Sequence, residues 1–228
     1  MCRTDLYERL PGPNKNKIRQ DSAVNIDWYH DPRNPRESNL IRLANLRANF
    51  TDRSISDVFK LFFPTEVENR NTLTYLLDLT RHTPRDFLQL LKKIQQFSGR
   101  TRLQRGQILS GVRSYSIEYF VPEIKDELVG YVAKDDIDLI MELFGSLRKR
   151  DFLFTELEQK AKEQSRFSNL VLSPIISALF ECSAIGNVFN RPGGSTYYTF
   201  KFRNRHSSLN LDERLILHRG MWKALNLI

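Results

Sequence analysis

The sequence has few cysteines and no long apolar run. Its two cysteines, Cys2 and Cys182, stand far apart in a chain of 228 residues, which excludes a disulfide framework and indicates a reducing compartment. No run approaches the roughly 20 apolar residues that a membrane helix needs. The first residues contain no apolar segment typical of a secretory signal. We therefore predict a cytoplasmic protein that does not enter the membrane.

Motifs of a self-contained catalytic site are also missing. No G-x-x-x-x-G-K-[ST] loop is present to hold phosphates, and no G-x-S-x-G turn is present to expose a nucleophilic serine. The four histidines, His30, His82, His206 and His218, are scattered and do not stand at metal-ligand spacing. We predict that the chain is not an enzyme alone and holds no metal or other cofactor of its own.

The basic charge is uneven along the chain. The net charge is +8, and residues 1–105 carry 19 basic against 12 acidic side chains, whereas residues 106–228 carry 16 against 15. A basic surface attracts nucleic acid because it releases counterions from the phosphates. No run of five or more Lys and Arg is present, so a solvated basic face is the simpler interpretation and nucleic-acid contact is the alternative.

The periodicity changes along the chain and predicts four regions. Residues 1–36 are turn-rich, residues 37–128 have the spacing of a helical bundle, residues 133–205 form a second domain, and residues 206–228 form a tail. The clearest helix start is Thr83-Pro84-Arg85-Asp86, with Thr83 as N-cap and Pro84 in the first helical position. The apolar residues of the tail indicate either a docking surface or a helix folded onto the second domain.

The second domain has the element order of a winged helix. One helix ends near Gly145, a second is predicted from Thr155 with Glu158 completing a capping box, and a third opens at Ser173-Pro174. Aromatic strands around Gly193-Gly194 then predict a β-hairpin. The predicted fold class is mainly α: a helical bundle followed by a winged-helix domain of three helices plus a β-hairpin.

Such a domain would contact DNA through its hairpin rather than through its third helix. The polar side of that helix offers hydroxyl groups and one carboxylate, from Ser173, Ser177, Glu181 and Ser183. Base reading normally uses Arg, Lys, Asn or Gln. The hairpin region carries the basic candidates, which are Arg191 at the tip and Lys201, Arg203 and Arg205 on the outgoing strand. Duplex DNA is therefore a possible partner through the wing.

Several blocks of the sequence resemble the C-terminal part of a bacterial P-loop ATPase family. The blocks are Arg3-Thr4-Asp5-Leu6, Asp27-Trp28, residues 80–87 (TRHTPRDF), residues 183–187 (SAIGN) and residues 218–226 (HRGMWKALN). The family is similar to STAND-type and origin-recognition-type AAA+ ATPases, several of which are associated with bacterial defence. The resemblance extends over nearly the whole chain, and HRGMWK is its most specific part.

The resemblance implies a role in nucleotide sensing. Arg3 matches an arginine that points toward the terminal phosphate, Pro84 matches a lid proline near the base, and Arg85 matches an arginine that reaches the γ-phosphate. Walker A and Walker B are missing, so ATP is expected only together with an ATPase core that this chain lacks. From the residues alone, Arg85 could instead pair with Asp86 or another nearby carboxylate.

The resulting hypothesis is a non-catalytic lid and winged-helix module of a STAND- or AAA+-like ATPase, acting as a nucleotide-dependent regulatory or interaction element. Its expected partner is an ATPase core or another protein. A truncated gene product, an excised fragment and a partner acting in trans all fit this sequence. The alternative is a standalone winged-helix regulator that binds DNA.

Overall fold

The computed structural model describes residues 11, 13–22, 24, 28–29, 34–99, 102–190, 194 and 196–227. About 55% of this part of the chain is helical, which confirms the mainly-α prediction. The helices are α1 Lys15–Ser22, α2 Asn39–Thr51, α3 Val58–Phe62, α4 Thr72–Asp78, α5 Pro84–Gln95, α6 Arg105–Tyr115, α7 Val121–Leu128, α8 Lys134–Leu147, α9 Phe154–Lys162 and α10 Leu172–Glu181. The strands are β1 Glu66–Val67, β2 Arg70–Asn71, β3 Asp151–Phe152, β4 Ile185–Asn190, β5 Thr196–Thr199 and β6 Arg214–Leu217.

Local capping explains where the helices begin. The Thr83 hydroxyl accepts a hydrogen bond from the Asp86 backbone N–H at 3.1 Å, and Pro84 occupies the first turn of α5, as predicted. The predicted cap at Thr155 is wrong. Helix α9 begins at Phe154, because the Glu156 carboxylate reaches back and accepts from the backbone N–H of Leu153 at 2.8 Å.

Helices α5 and α6 pack closely against each other. Gly111 on α6 lies directly against Ile94 on α5, and a Cβ at Gly111 would overlap the Ile94 backbone. Beyond α6 the chain continues through a π-helical turn, Ser116–Phe120, into α7. A π-turn carries one extra residue in its hydrogen-bonded ring, so it resets which side chains face the core.

The larger sheet has four antiparallel strands in the order β3-β6-β4-β5. The three helices α8, α9 and α10 and the hairpin β4–β5 are present in the predicted order. The sheet nevertheless contains β3 and β6, which the sequence pattern did not predict, and β6 lies between β3 and β4 rather than outside the hairpin. The winged-helix assignment itself stays a prediction.

The tail is part of the sheet. Residues 214–217 form β6, with Ile185 opposite Leu217 and Asp151 opposite Ile216, and the side chains of Leu215 and Leu217 are fully buried. Residues 214–217 are therefore a strand instead of the predicted helix, and Leu215, Ile216 and Leu217 are buried within this chain. Docking through the rest of the tail stays a prediction. One continuous core runs from Leu40 to Leu227, across the predicted domain boundary.

Candidate functional site

Arg85 lies at the start of α5 and faces solvent. Its side chain is 72% exposed, and its Nη1 contacts Glu123 Oε1 on α7 at 3.0 Å. From the residues alone, Arg85 could pair with Asp86 or with another nearby carboxylate. In the structure its partner is Glu123 instead of Asp86. An exposed ion pair of this kind is weak and exchanges readily with other partners. Arg3, the other predicted nucleotide-sensing arginine, lies outside the described residues.

Arg81, four residues earlier, has the opposite environment. Its side chain is 8% exposed and contacts Asp86 through Nε at 3.1 Å and Glu127 through Nη1 at 2.8 Å. Burial alone would lower the pKa of this guanidinium, but the two carboxylates raise it above its ordinary value. Asp86 also accepts a hydrogen bond from the Tyr119 hydroxyl at 2.9 Å. Arg81 is therefore a permanent buried cation.

Arg81 also connects the helical bundle to the second part of the chain. Its Nη1 donates to the carbonyl oxygen of Cys182, directly after α10, at 3.3 Å. Two residues later, the Ala184 carbonyl accepts from the backbone N–H of His218 at 2.8 Å. Ser116 in the π-helical turn donates through its hydroxyl to the Gly220 carbonyl at 2.6 Å. The bundle, the end of α10 and the segment after β6 thus meet at one place.

His218 is buried at the centre of this contact. Its ring stacks on Phe120 at 4.8 Å between centroids and meets the edge of Phe200 at 5.3 Å. Burial, followed by the nearby charges of Arg81 and Arg203, holds the pKa of His218 well below 6.5. The neutral ring accepts from the Gly220 N–H through Nδ1 at 3.1 Å, so this nitrogen is unprotonated.

Position 220 requires glycine because the segment after β6 lies so close to the bundle here. A Cβ at this position would lie 2.8 Å from the Leu79 carbonyl oxygen and 2.9 Å from the Phe120 ring. Any side chain here would separate the segment after β6 from the bundle. We call this contact the Arg81 junction, formed by Arg81, Asp86, Glu127, His218 and Gly220. Sequence reasoning missed it, although TRHTPRD does place an arginine and an aspartate on either side of a helix start.

The predicted DNA-contacting residues are mostly engaged within the chain. Strand β5 ends at Thr199, so Lys201 and Arg203 lie in the turn after it instead of on the strand as predicted. Lys201 pairs with Glu181 at 3.1 Å, and Arg203 contacts Asp78 on α4 at 3.4 Å. Arg205 is half-buried and also lies in a turn.

The remaining predicted positions of this interface divide into exposed and buried ones. Arg191, the predicted tip residue, lies outside the described residues. Ser173, Ser177 and Glu181 are exposed on α10, as predicted for its polar side. Ser183 is buried, and its hydroxyl accepts from the Phe202 N–H at 3.0 Å. The described part of this region therefore presents no continuous basic face.

An open groove lies between α7, α8 and the last described turn of the chain. Its volume is about 980 Å³, and its walls include Ile117, Met141 and Leu225. Ile117 is 45% exposed, although it belongs to the π-helical turn that contacts the Arg81 junction. Four charged side chains also line the groove, from Lys125, Asp138, Glu142 and Arg148. The groove includes residues 224–226 of the predicted tail.

Within the described ranges, no group of three or more His, Cys, Asp or Glu side chains could hold a metal ion. The helices that could be searched include none long and apolar enough to span a bilayer.

Comparison with known protein families gives a match. Residues 38–121 match the family described as the FunZ-associated C-terminal helical domain. The match covers the helical bundle from the cap of α2 to the start of α7, including both Arg81 and Arg85. A search of curated proteins found no match, and neither did a search of solved structures. Less than half of the chain is therefore similar to a domain that is named as the C-terminal, helical part of a larger protein.

Proposed function

We propose that this chain is the non-catalytic lid and winged-helix module of a STAND- or AAA+-like P-loop ATPase. In this proposal it acts as a regulatory or interaction element that responds to ATP held by an ATPase core. The observation that carries the proposal is the contrast between the two arginines of one motif. Arg81 is buried and bound by carboxylates, whereas Arg85 is exposed at a helix start and held by one solvent-accessible carboxylate.

The position of Arg85 suits contact with a phosphate. The first backbone N–H groups of a helix attract anions, and a guanidinium beside them adds a bidentate donor. A triphosphate held by a partner would compete with Glu123 for this guanidinium. Glu123 lies one helical turn before Glu127, the partner of Arg81, so a change at Arg85 would be felt at the same face of α7.

The groove beside Ile117 is the proposed docking surface for the ATPase core. Its lining combines apolar side chains with the Lys125–Asp138 ion pair, Glu142 and Arg148. A protein partner can cover such a surface with an apolar centre and a polar rim.

The test uses the full chain to capture its protein partner and then measures ATP hydrolysis by the complex. Tagged chain from its native cells should recover a P-loop ATPase, and Ile117→Asp in the groove should abolish recovery. Val171→Asp, at an exposed apolar position that does not line the groove, is the matched control and should not. Arg85→Ala should keep recovery but lower ATP hydrolysis by the complex by about 10³-fold, as expected for an arginine that contacts the γ-phosphate. Recovery of partners without a P-loop would refute the proposal.

The alternative is a standalone winged-helix regulator that binds DNA. Duplex DNA titrated with the isolated chain, from low to physiological salt, separates the two functions. Because Lys201 and Arg203 contact Glu181 and Asp78, we expect no micromolar binding. Micromolar or tighter binding that weakens steeply with salt would instead favour the regulator.

A further inference from the structure

A small cavity lies between the 3-10 turn Pro35–Glu37, helix α3 and the start of α4. Its volume is about 120 Å³. Phe59, Phe63 and Leu73 supply apolar walls, and Arg36, Lys60 and Arg102 bring three cations to the same cavity. No carboxylate is among its lining residues within the described part of the chain. Arg85 is not among its lining residues, and none of its lining residues belongs to the groove beside Ile117.

Two of the three cations are held in place by the chain itself. Arg102 donates through Nε and Nη2 to the Phe63 carbonyl at 3.0 and 2.8 Å, which fixes the plane of its guanidinium. Arg36 contacts Asp57 through Nη1 at 2.7 Å. Lys60 forms no ion pair with any residue that the structure describes. Within the described residues Asp57 pairs with Arg36, whereas Lys60 and Arg102 form no ion pair, which leaves positive charge at the cavity.

The cavity also contains an uncharged side chain that can donate a hydrogen bond. Asn71 also lines the cavity, and its side-chain oxygen accepts from the backbone N–H groups of Leu73 and Thr74, at 3.0 and 3.4 Å. The amide –NH₂ of Asn71 is then the group left to donate to a ligand.

The size and charge together define the ligand. Cavities for whole small molecules measure about 300–1,000 Å³, so this one accommodates a single group. Planar guanidinium and amide donors match the oxygens of a tetrahedral oxyanion. We propose that this cavity binds a phosphate group. The phosphate could belong to a nucleotide or to the backbone of a nucleic acid, and the basic excess of residues 1–105 suits either source. The site is independent of the proposed lid function.

The experiment is an NMR titration of the full chain with inorganic phosphate at constant ionic strength. We expect saturable shifts of the signals around Arg36, Lys60 and Arg102. Lys60→Ala should weaken binding by about fivefold or more, because it removes the cation without an ion-pair partner. Lys162→Ala removes an exposed helical lysine outside the cavity and should change the affinity by less than about twofold.

Two further arms identify the source of the phosphate. ATP and a short single-stranded oligonucleotide are titrated separately, and the one that produces the same shifts at lower concentration is the natural carrier. Lys60→Ala and Lys162→Ala should each retain the wild-type spectrum elsewhere, which shows that the fold is intact. Equal effects of the two lysine variants, or a response that does not saturate, would overturn the proposal because either result means diffuse attraction to surface charge.

Discussion

The arginines at positions 81 and 85 offer a matched pair of substitutions within one motif. Arg81→Ala removes a side chain that is 8% exposed and leaves the carboxylates of Asp86 and Glu127 facing a cavity. Breaking a buried ion pair by removing one partner costs about 3–5 kcal/mol. Arg85→Ala removes a side chain that is 72% exposed, and an exposed pair contributes about 0–1 kcal/mol. We therefore expect a large loss of stability from the first variant and a small one from the second.

The assay is urea unfolding of both variants and the wild type, followed by circular dichroism. For a chain of this size, each kcal/mol corresponds to a fall in Tm of about 2–4 °C, so thermal unfolding gives an independent estimate. Comparable losses from the two variants would refute the distinction between a buried structural arginine and an exposed functional one. A loss above about 2 kcal/mol from Arg85→Ala alone would show that its pair with Glu123 is structural.

A double-mutant cycle isolates the buried pair from the rest of the junction. Asp86→Asn keeps the size of the side chain but removes its charge, so Arg81 loses one of its two carboxylate partners. If the pair is coupled, the double variant Arg81→Ala/Asp86→Asn should be more stable than the sum of the single losses predicts. Strict additivity would contradict direct coupling between these two groups.

Three further predictions concern the core and its titration. Ile176→Ala in α10, at a fully buried position, should cost about 2–5 kcal/mol in urea unfolding, and a loss below about 0.5 kcal/mol would mean that α10 does not pack as described. Gly111→Ala should destabilise because its Cβ overlaps Ile94, whereas Gly106→Ala in the same helix meets open space and should stabilise by about 0.5–1 kcal/mol; the same sign for both would contradict the helix contact. Because burial and two neighbouring arginines hold the folded-state pKa of His218 well below 6.5, the unfolded chain binds an extra proton below that pH. Stability measured by urea unfolding should thus fall from pH 7.5 to 5.5, and less steeply in His218→Asn; equal slopes would exclude His218 as the cause.

Local signals were sufficient for most of the bundle. Thr83 and Pro84 mark a helix start because capping depends on residues that are adjacent in sequence. The same reasoning failed at Thr155, where two carboxylates compete: Glu156 reaches the backbone of Leu153, so the N-cap is Leu153, two residues before the predicted one. Which of two neighbouring carboxylates caps a helix depends on the entry angle of the chain, which no local pattern records.

Strand β6 could not be recognised for a different reason. Its apolar segment, Leu215 to Leu217, is too short to show whether it repeats every two or every 3.6 residues. It becomes a strand because β3 and β4 lie on either side of it and supply the hydrogen-bonding partners. The buried role of Arg81 could not be predicted for a similar reason. Its partners Glu127 and Cys182 lie 46 and 101 residues away, and nothing near Arg81 in the sequence points to them.

Three of the blocks that carry the sequence resemblance, residues 80–87, 183–187 and 218–226, meet at the Arg81 junction, and this bears on how the chain could respond to a nucleotide. Arg81 just before α5 and Arg85 in its first turn both contact α7, through Glu127 and Glu123, so two ion pairs join α7 to the region where α5 begins. Only the outer pair can exchange partners at low cost, because its arginine is exposed. The inner pair holds α7 against the end of α10 while the outer one opens. A phosphate at Arg85 would therefore free Glu123 without separating the bundle from the sheet, and any larger motion must come from the partner that holds the phosphate.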